Sequence, residues 1–157
     1  MSISLSNTTP AAPSGSQLVQ FQTDGSGRVS GYVPVSAVKL PGVDSTGNTA
    51  NIAATNLLAS PNNGLYRISA YIVVTVVDPT SSTLPSITLT WDDQDNGQPQ
   101  SLTLTPTNAG NLLTTLQEAT AVLSTGTGAA IQYSTTGYAS NTPATMTYAV
   151  HFRVEAL

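Results

Sequence analysis

The run Leu65-Tyr66-Arg67-Ile68-Ser69-Ala70-Tyr71-Ile72-Val73-Val74-Thr75-Val76-Val77 sets the fold class. Tyr66, Ile68, Ala70, Ile72, Val74 and Val76 alternate with Arg67, Ser69, Tyr71, Val73, Thr75 and Val77. A period of two sustained this long specifies a β-strand. Its second half is apolar on both faces, which predicts a central strand, covered on both sides or lining a subunit contact.

Further β-rich runs follow at residues 86–91, 101–106, 116–123, 129–135 and 146–156. Nearly all are separated by turn formers: Asp78-Pro79, Asp95-Asn96-Gly97, Asn108-Ala109-Gly110, Gly126-Thr127-Gly128 and the stretch 137–143. Short strands at regular spacing with glycine-rich turns predict an all-β protein, an antiparallel sandwich or barrel. Only residues 111–122 leave a helix in competition, because Leu112, Leu113, Leu116 and Ala119 have near-helical spacing. The last run places Tyr148, Val150, Phe152 and Val154 on one face and His151, Arg153 and Glu155 on the other. So apolar a closing strand is expected in the sheet centre, where it would not fray.

Upstream, residues 1–15 carry Pro10 and Pro13 without apolar period and read as an extended arm. Residues 16–35 read as a β-hairpin about Asp24-Gly25-Ser26-Gly27. The hairpin's apolar set includes Leu18, Phe21, Val29, Tyr32 and Val33, too few for a core of their own. They are expected to pack on the main domain or on another subunit. Residues 36–63, punctuated by Pro41-Gly42, Gly47-Asn48 and Pro61-Asn62-Asn63-Gly64, read as a connector, and the main domain as residues 64–157.

The chain of 157 residues has length for one core. Only 8% of it is charged, while serine and threonine number 42, a composition suited to strands with hydroxylated outer faces. Four basic residues against eight acidic ones give a net charge of -4, which lacks the electrostatic footprint of nucleic-acid binding. With no cysteine, disulfides, thiolate metal sites and cysteine nucleophiles are excluded. The opening residues show no secretory signal pattern, and no apolar run approaches membrane-spanning length. Membrane insertion is therefore not expected, and a product found outside a cell would have left by another route or have lost its signal.

Chemistry-bearing residues are few. His151 is the single histidine, so no histidine pair exists for a metal, and its expected place is a strand at a surface or subunit contact. Asp92, Asp93 and Asp95 beside Asn96-Gly97 are the only Ca²⁺ candidates, and they miss the EF-hand pattern because Gln94 stands where an Asp or Asn belongs. A solvated hairpin loop is the plainer reading. Trp91, Tyr66, Tyr71, Tyr133 and Tyr138 offer aromatic faces on which a glycan could stack; most lie within strand runs, where packing is the commoner fate, which leaves Trp91 and Tyr138 as the candidate glycan contacts. No serine elbow, phosphate-cradling glycine loop or paired glutamate set is found, so neither an enzyme nor a cofactor is expected.

Two stretches carry a resemblance. Thr8-Thr9-Pro10-Ala11-Ala12-Pro13-Ser14-Gly15, with Val19-Gln20-Phe21-Gln22-Thr23-Asp24 and Gly27-Arg28-Val29-Ser30-Gly31-Tyr32-Val33-Pro34, resembles the N-terminal segments of tailed-phage virion proteins. Gly64-Leu65-Tyr66-Arg67-Ile68-Ser69-Ala70-Tyr71, Ala129-Ala130-Ile131-Gln132-Tyr133-Ser134 and the closing 148–157 resemble the opening, penultimate and final strands of a C1q/TNF-like jelly roll. The resemblance covers under half the chain. It implies a trimer on the virion exterior, assembled in the host cytoplasm, whose partners are capsid or tail proteins and a host surface glycan. Unlike fibre proteins, the chain has no collagen-like or coiled-coil stalk. Burial of a surplus apolar strand face suits such assembly, with Leu18, Phe21, Val29, Tyr32, Val33, Val73, Val77, His151 and Arg153 as the expected assembly residues. The rival readings are a carbohydrate-binding sandwich and an extracellular filament subunit joined by strand addition of its N-terminal arm.

Overall fold

A computed structural model describes residues 19–23, 29–34, 38–105, 111–141 and 145–157, with side chains from Lys39 onward. The chain divides into two compact units, Met1–Val38 and Lys39–Leu157. In the first, β1 (Val19–Thr23) pairs antiparallel with β2 (Val29–Pro34), in register from Val19 opposite Pro34 to Gln22 opposite Gly31, with a bulge at Gln22/Thr23. The expected hairpin is present. The expected arm over residues 1–15 lies outside the described residues.

The second unit is an antiparallel β-sandwich, and its described residues contain no helix. It comprises β3 (Val38–Asn48), β4 (Thr55–Leu58), β5 (Gly64–Val76), β6 (Ser82–Thr83), β7 (Ser86–Asp92), β8 (Pro99–Leu104), β9 (Leu116–Thr125), β10 (Ile131–Thr136), β11 (Ala139–Ser140) and β12 (Thr147–Ala156). One sheet has the order β3-β12-β5-β9, the facing sheet β4-β10-β7-β8, and β6 and β11 form a small pair of their own. The pairing is nested: β7 with β8, β5 with β9, β4 with β10 and β3 with β12. The unit is thus one long hairpin, its tip at the β7–β8 turn, folded over on itself.

Alternation builds the core. Tyr66, Ile68, Ala70, Ile72 and Val74 of β5 face inward with Tyr148, Val150, Phe152 and Val154 of β12, and all are buried. Ile87 and Leu89 of β7 and Ile131 and Tyr133 of β10 meet them from the facing sheet. The Phe152 and Tyr133 rings meet across the gap at a tilt of 47°, with centroids 4.6 Å apart. The apolar second half of β5 and the apolar closing strand are explained by position: β5 and β12 are the two central strands of their sheet. On the outer faces, hydroxyls pair across strands, as between Thr88 and Thr103 at 3.2 Å.

Two expectations are corrected. Residues 36–63 are no connector, since they contain β3 and β4, and the sandwich begins at Lys39 instead of residue 64. Pro41 and Gly42, read as breakers, are compatible with β3 because it is an edge strand, where a missing N–H is tolerated. The helix competing over residues 111–122 is absent: a turn leads into β9, which buries Ala121, Leu123 and Thr125 at period two.

Candidate functional site

The outer face of the β3-β12-β5-β9 sheet concentrates the chain's ionisable groups. Register brings them into rungs. Tyr71 of β5 pairs with Glu118 of β9 on one side and His151 of β12 on the other. One rung along, Ser69 pairs with Thr120 and Arg153, and beyond it Arg67 pairs with Val122 and Glu155. The short side chains of Ser69 and Thr120, between the larger Tyr71, Glu118, His151 and Arg153, leave an open trough of about 650 Å³.

Asp44, on the edge strand β3, closes one side. Its Oδ1 accepts from His151 Nδ1 at 2.6 Å and from Arg153 Nη1 at 2.9 Å, and its Oδ2 accepts from Arg153 Nη2 at 3.2 Å. Arg153 Nη1 also donates to the Phe152 carbonyl at 2.7 Å. The guanidinium, and then the imidazole, hold the Asp44 carboxyl below its ordinary range. Because a carboxylate only accepts, the His151 nitrogen that faces Asp44, Nδ1, carries a proton, and Nε2 points away from that bond. The Arg67–Glu155 ion pair, at 3.2 Å, lies on the neighbouring rung. Glu118 has no ion-pair partner among the described residues.

A second polar centre is internal. Asp78, 2% exposed, accepts from Ser140 Oγ at 2.6 Å and from the backbone N–H groups of Thr80, Ser81 and Asn141 at 2.8, 3.1 and 2.9 Å. Its own backbone N–H donates to Asn111 Oδ1, whose amide returns a bond to the Asp78 carbonyl. These neutral donors, the Ser140 hydroxyl foremost, hold the carboxyl far below its ordinary range. The sequence shows only an Asp-Pro turn here, and nothing local marks the carboxylate as a hub.

The sequence-derived candidates separate. His151 and Arg153 stand in the trough, Val73 is half-buried on the same face of β5, and Val77 lies just past the end of that strand. Leu18 lies outside the described residues; Phe21, Val29, Tyr32 and Val33 lie in β1 and β2, whose side chains are not described. Asp93 Oδ1 accepts from the N–H groups of Asp95 and Asn96 at 3.0 and 3.3 Å, closing the β7–β8 turn. Asp92 and Asp95 join it in no metal-binding group among the described residues. Tyr138 is drawn away from a sugar-stacking role. Its hydroxyl donates to the Met146 carbonyl at 2.7 Å, and its half-buried ring leans on Tyr148 at 5.8 Å. Trp91 packs half-buried at the rim of the core and borders a smaller hollow of about 300 Å³ with Thr90, Pro99 and Gln132.

Sequence reasoning passed over Asp44, Glu118, Ser69 and Thr120, which converge only through strand register. Alternation on its own would have placed Tyr71 beside the polar face of β5.

At the end of the same sheet, residues 111–115 run along the tail of β5. The Val74 N–H donates to the Thr115 carbonyl at 3.1 Å, and Leu116 opposes Val73. This alignment brings the backbones of Val76, Val77, Leu112, Leu113 and Leu116, from 36% to 61% exposed, to the same end of the sheet. No protein-family model matches the chain, and no curated protein matches it either.

Proposed function

We propose that the chain is a non-enzymatic structural subunit of a phage virion, a jelly-roll sandwich that associates with further copies of itself, as a trimer. It stands on the virion exterior, bound to capsid or tail proteins, and contacts the host surface. The nested strand pairing supports the jelly-roll reading, because a long hairpin rolled into two facing sheets is how that fold is wound.

The observation that carries self-association is the apolar cluster of Val76, Val77, Leu112, Leu113 and Leu116. It contains no charged residue, and an exposed apolar cluster on a folded domain marks an interaction surface. Further copies of the chain are its occupant, since a particle subunit meets its own surface at every symmetry contact. The sparse charge, 8% of the sequence, limits like-charge repulsion between copies.

Light scattering on the full chain tests the reading, with Leu113→Glu beside the wild type. A trimer that disperses to a folded monomer in the variant is expected. A wild-type chain that stays monomeric at every concentration and binds neither capsids nor tails overturns it.

A further inference from the structure

We propose that the trough across β9, β5 and β12 binds a neutral pyranose sugar, with the Tyr71 ring as its stacking platform and Glu118 as its principal hydroxyl acceptor. The inference deepens the host-contact part of the virion reading and rests on that reading only for where the sugar is met.

Size and shape come first. About 650 Å³ lies within the range of small-molecule sites, and the trough is open, so a sugar inside it can continue into a longer glycan. Tyr71 is half-buried, with the His151 ring beside it at 6.1 Å and a tilt of 38°. A ring already held by its neighbours loses little freedom when a ligand settles on it.

Charge narrows the ligand. Arg153 is the only fully charged cation lining the trough, and it is committed to both oxygens of Asp44 and to the Phe152 carbonyl. His151 is likewise bonded to Asp44, and Glu118 stands without an ion-pair partner among the described residues, so a phosphate, sulfate or carboxylate ligand meets an unpaired carboxylate and no uncommitted cation. A shared metal ion is excluded by distance. Glu118 and Asp44 stand three strand spacings apart across the sheet, roughly 14 Å at the usual 4.8 Å per strand. A wholly apolar ligand finds a single ring and no long aliphatic wall.

What remains is a ligand rich in hydroxyl donors with one apolar face. Glu118 offers two carboxylate oxygens, His151 offers Nε2, and Ser69 and Thr120 both donate and accept. Those groups line the trough together with the Tyr71 ring, which takes the C–H side of a pyranose ring. The trough differs in kind from the apolar cluster beyond Val73, which offers no hydrogen bonds from its side chains.

The test uses the full chain and methyl glycosides of glucose, galactose and N-acetylglucosamine, followed by NMR titration, with N-acetylneuraminic acid as the anionic counterpart. Saturable shifts with at least one neutral glycoside are expected, weakened about tenfold or more in Tyr71→Ala and in Glu118→Gln and unchanged in Trp91→Phe. Circular dichroism verifies that each variant is folded, and Glu118→Gln, which keeps shape, carries the result if Tyr71→Ala is not. The inference is overturned by no saturable neutral-sugar signal, by a signal that survives both trough variants, or by binding of the anionic sugar alone. Light scattering on the same samples reads self-association separately. Sugar bound by dispersed Leu113→Glu but refused by the assembled wild type would put the trough inside a subunit contact and overturn its role as a ligand site.

Discussion

Asp78 is a buried anion with no cation beside it among the described residues, held by two hydroxyls and three backbone N–H groups. Its folded pKa is depressed, so its contribution to stability is fully present above the ordinary carboxylate range, near pH 4, and is lost as pH falls below that. Thermal melting between pH 7 and pH 2 should show this acid loss in the wild type. Asp78→Asn should melt lower at pH 7, because its amide N–H₂ meets donors, and should lose less between pH 4 and pH 2. Equal acid slopes in the two proteins would remove Asp78 from the acid limb.

Gly42 makes an opposite demand, for the absence of atoms. A Cβ there would land on the Phe152 carbonyl oxygen and within 2.8 Å of Arg153 Nη1. The side chain can swing away but the backbone of a central strand cannot, so Gly42→Ala should cost about 1–3 kcal/mol, the usual range for overpacking. Urea unfolding would measure it. The Pro41-Gly42 pair looked like punctuation because both residues are turn formers in most contexts. In this strand one is tolerated by an edge and the other required by a neighbour's carbonyl.

Among the elements, β12 does most to order the segments around it. Tyr148 donates its hydroxyl to the Ala50 carbonyl at 2.8 Å and pairs with Thr135 Oγ1 at 2.9 Å, while Thr135 accepts from the Ile52 N–H at 2.7 Å. This chain of bonds fastens the segment between β3 and β4 to the sandwich. Tyr148→Phe keeps the ring and removes the hydroxyl, leaving those partners short of a bond, and should cost about 1–3 kcal/mol. Hydrogen exchange at Ile52 should rise with it. Phe152→Ala removes the buried ring that packs against Tyr133 and should cost about 3–5 kcal/mol by denaturant unfolding.

Legibility at this scale followed hydrophobic period. β5, β7 and β12 announced themselves because each has an inward face of large apolar residues. β3 did not, since it is anchored by polar contacts through Asp44 and Asn48 to residues more than a hundred or a hundred positions away. β9 was ambiguous because Leu116 and Val122 point outward, filling in the alternation that would have separated strand from helix. The site was less legible than the fold: His151, Arg153 and Tyr71 were each noticed separately and Glu118 was not, because the four meet only through pairing between strands distant in sequence.

Over the whole molecule, self-association through the apolar residues at the end of β5 would make stability a function of concentration. If copies associate through them, the melting temperature of the wild type should rise with protein concentration by mass action, and that of Leu113→Glu should not. Differential scanning calorimetry over a hundredfold range decides it; a concentration-independent wild type would deny the cluster a role in assembly.

The pairing of β3 with β12 also bears on how the sandwich carries mechanical load. Gly42 lies against Phe152, Asp44 reaches His151 and Arg153, and Asn48 donates to the Tyr148 carbonyl, so the two strands run in opposite directions. Residues 39 and 157 therefore stand at the same end of the sheet. Tension applied between them peels the ladder one rung at a time, a zipper geometry in which each bond faces the force alone. Along that seam the Asp44 clip on Arg153 and His151 would meet the force before the Asn48 bond to the Tyr148 carbonyl, so an exposed carboxylate is an early side-chain catch against opening.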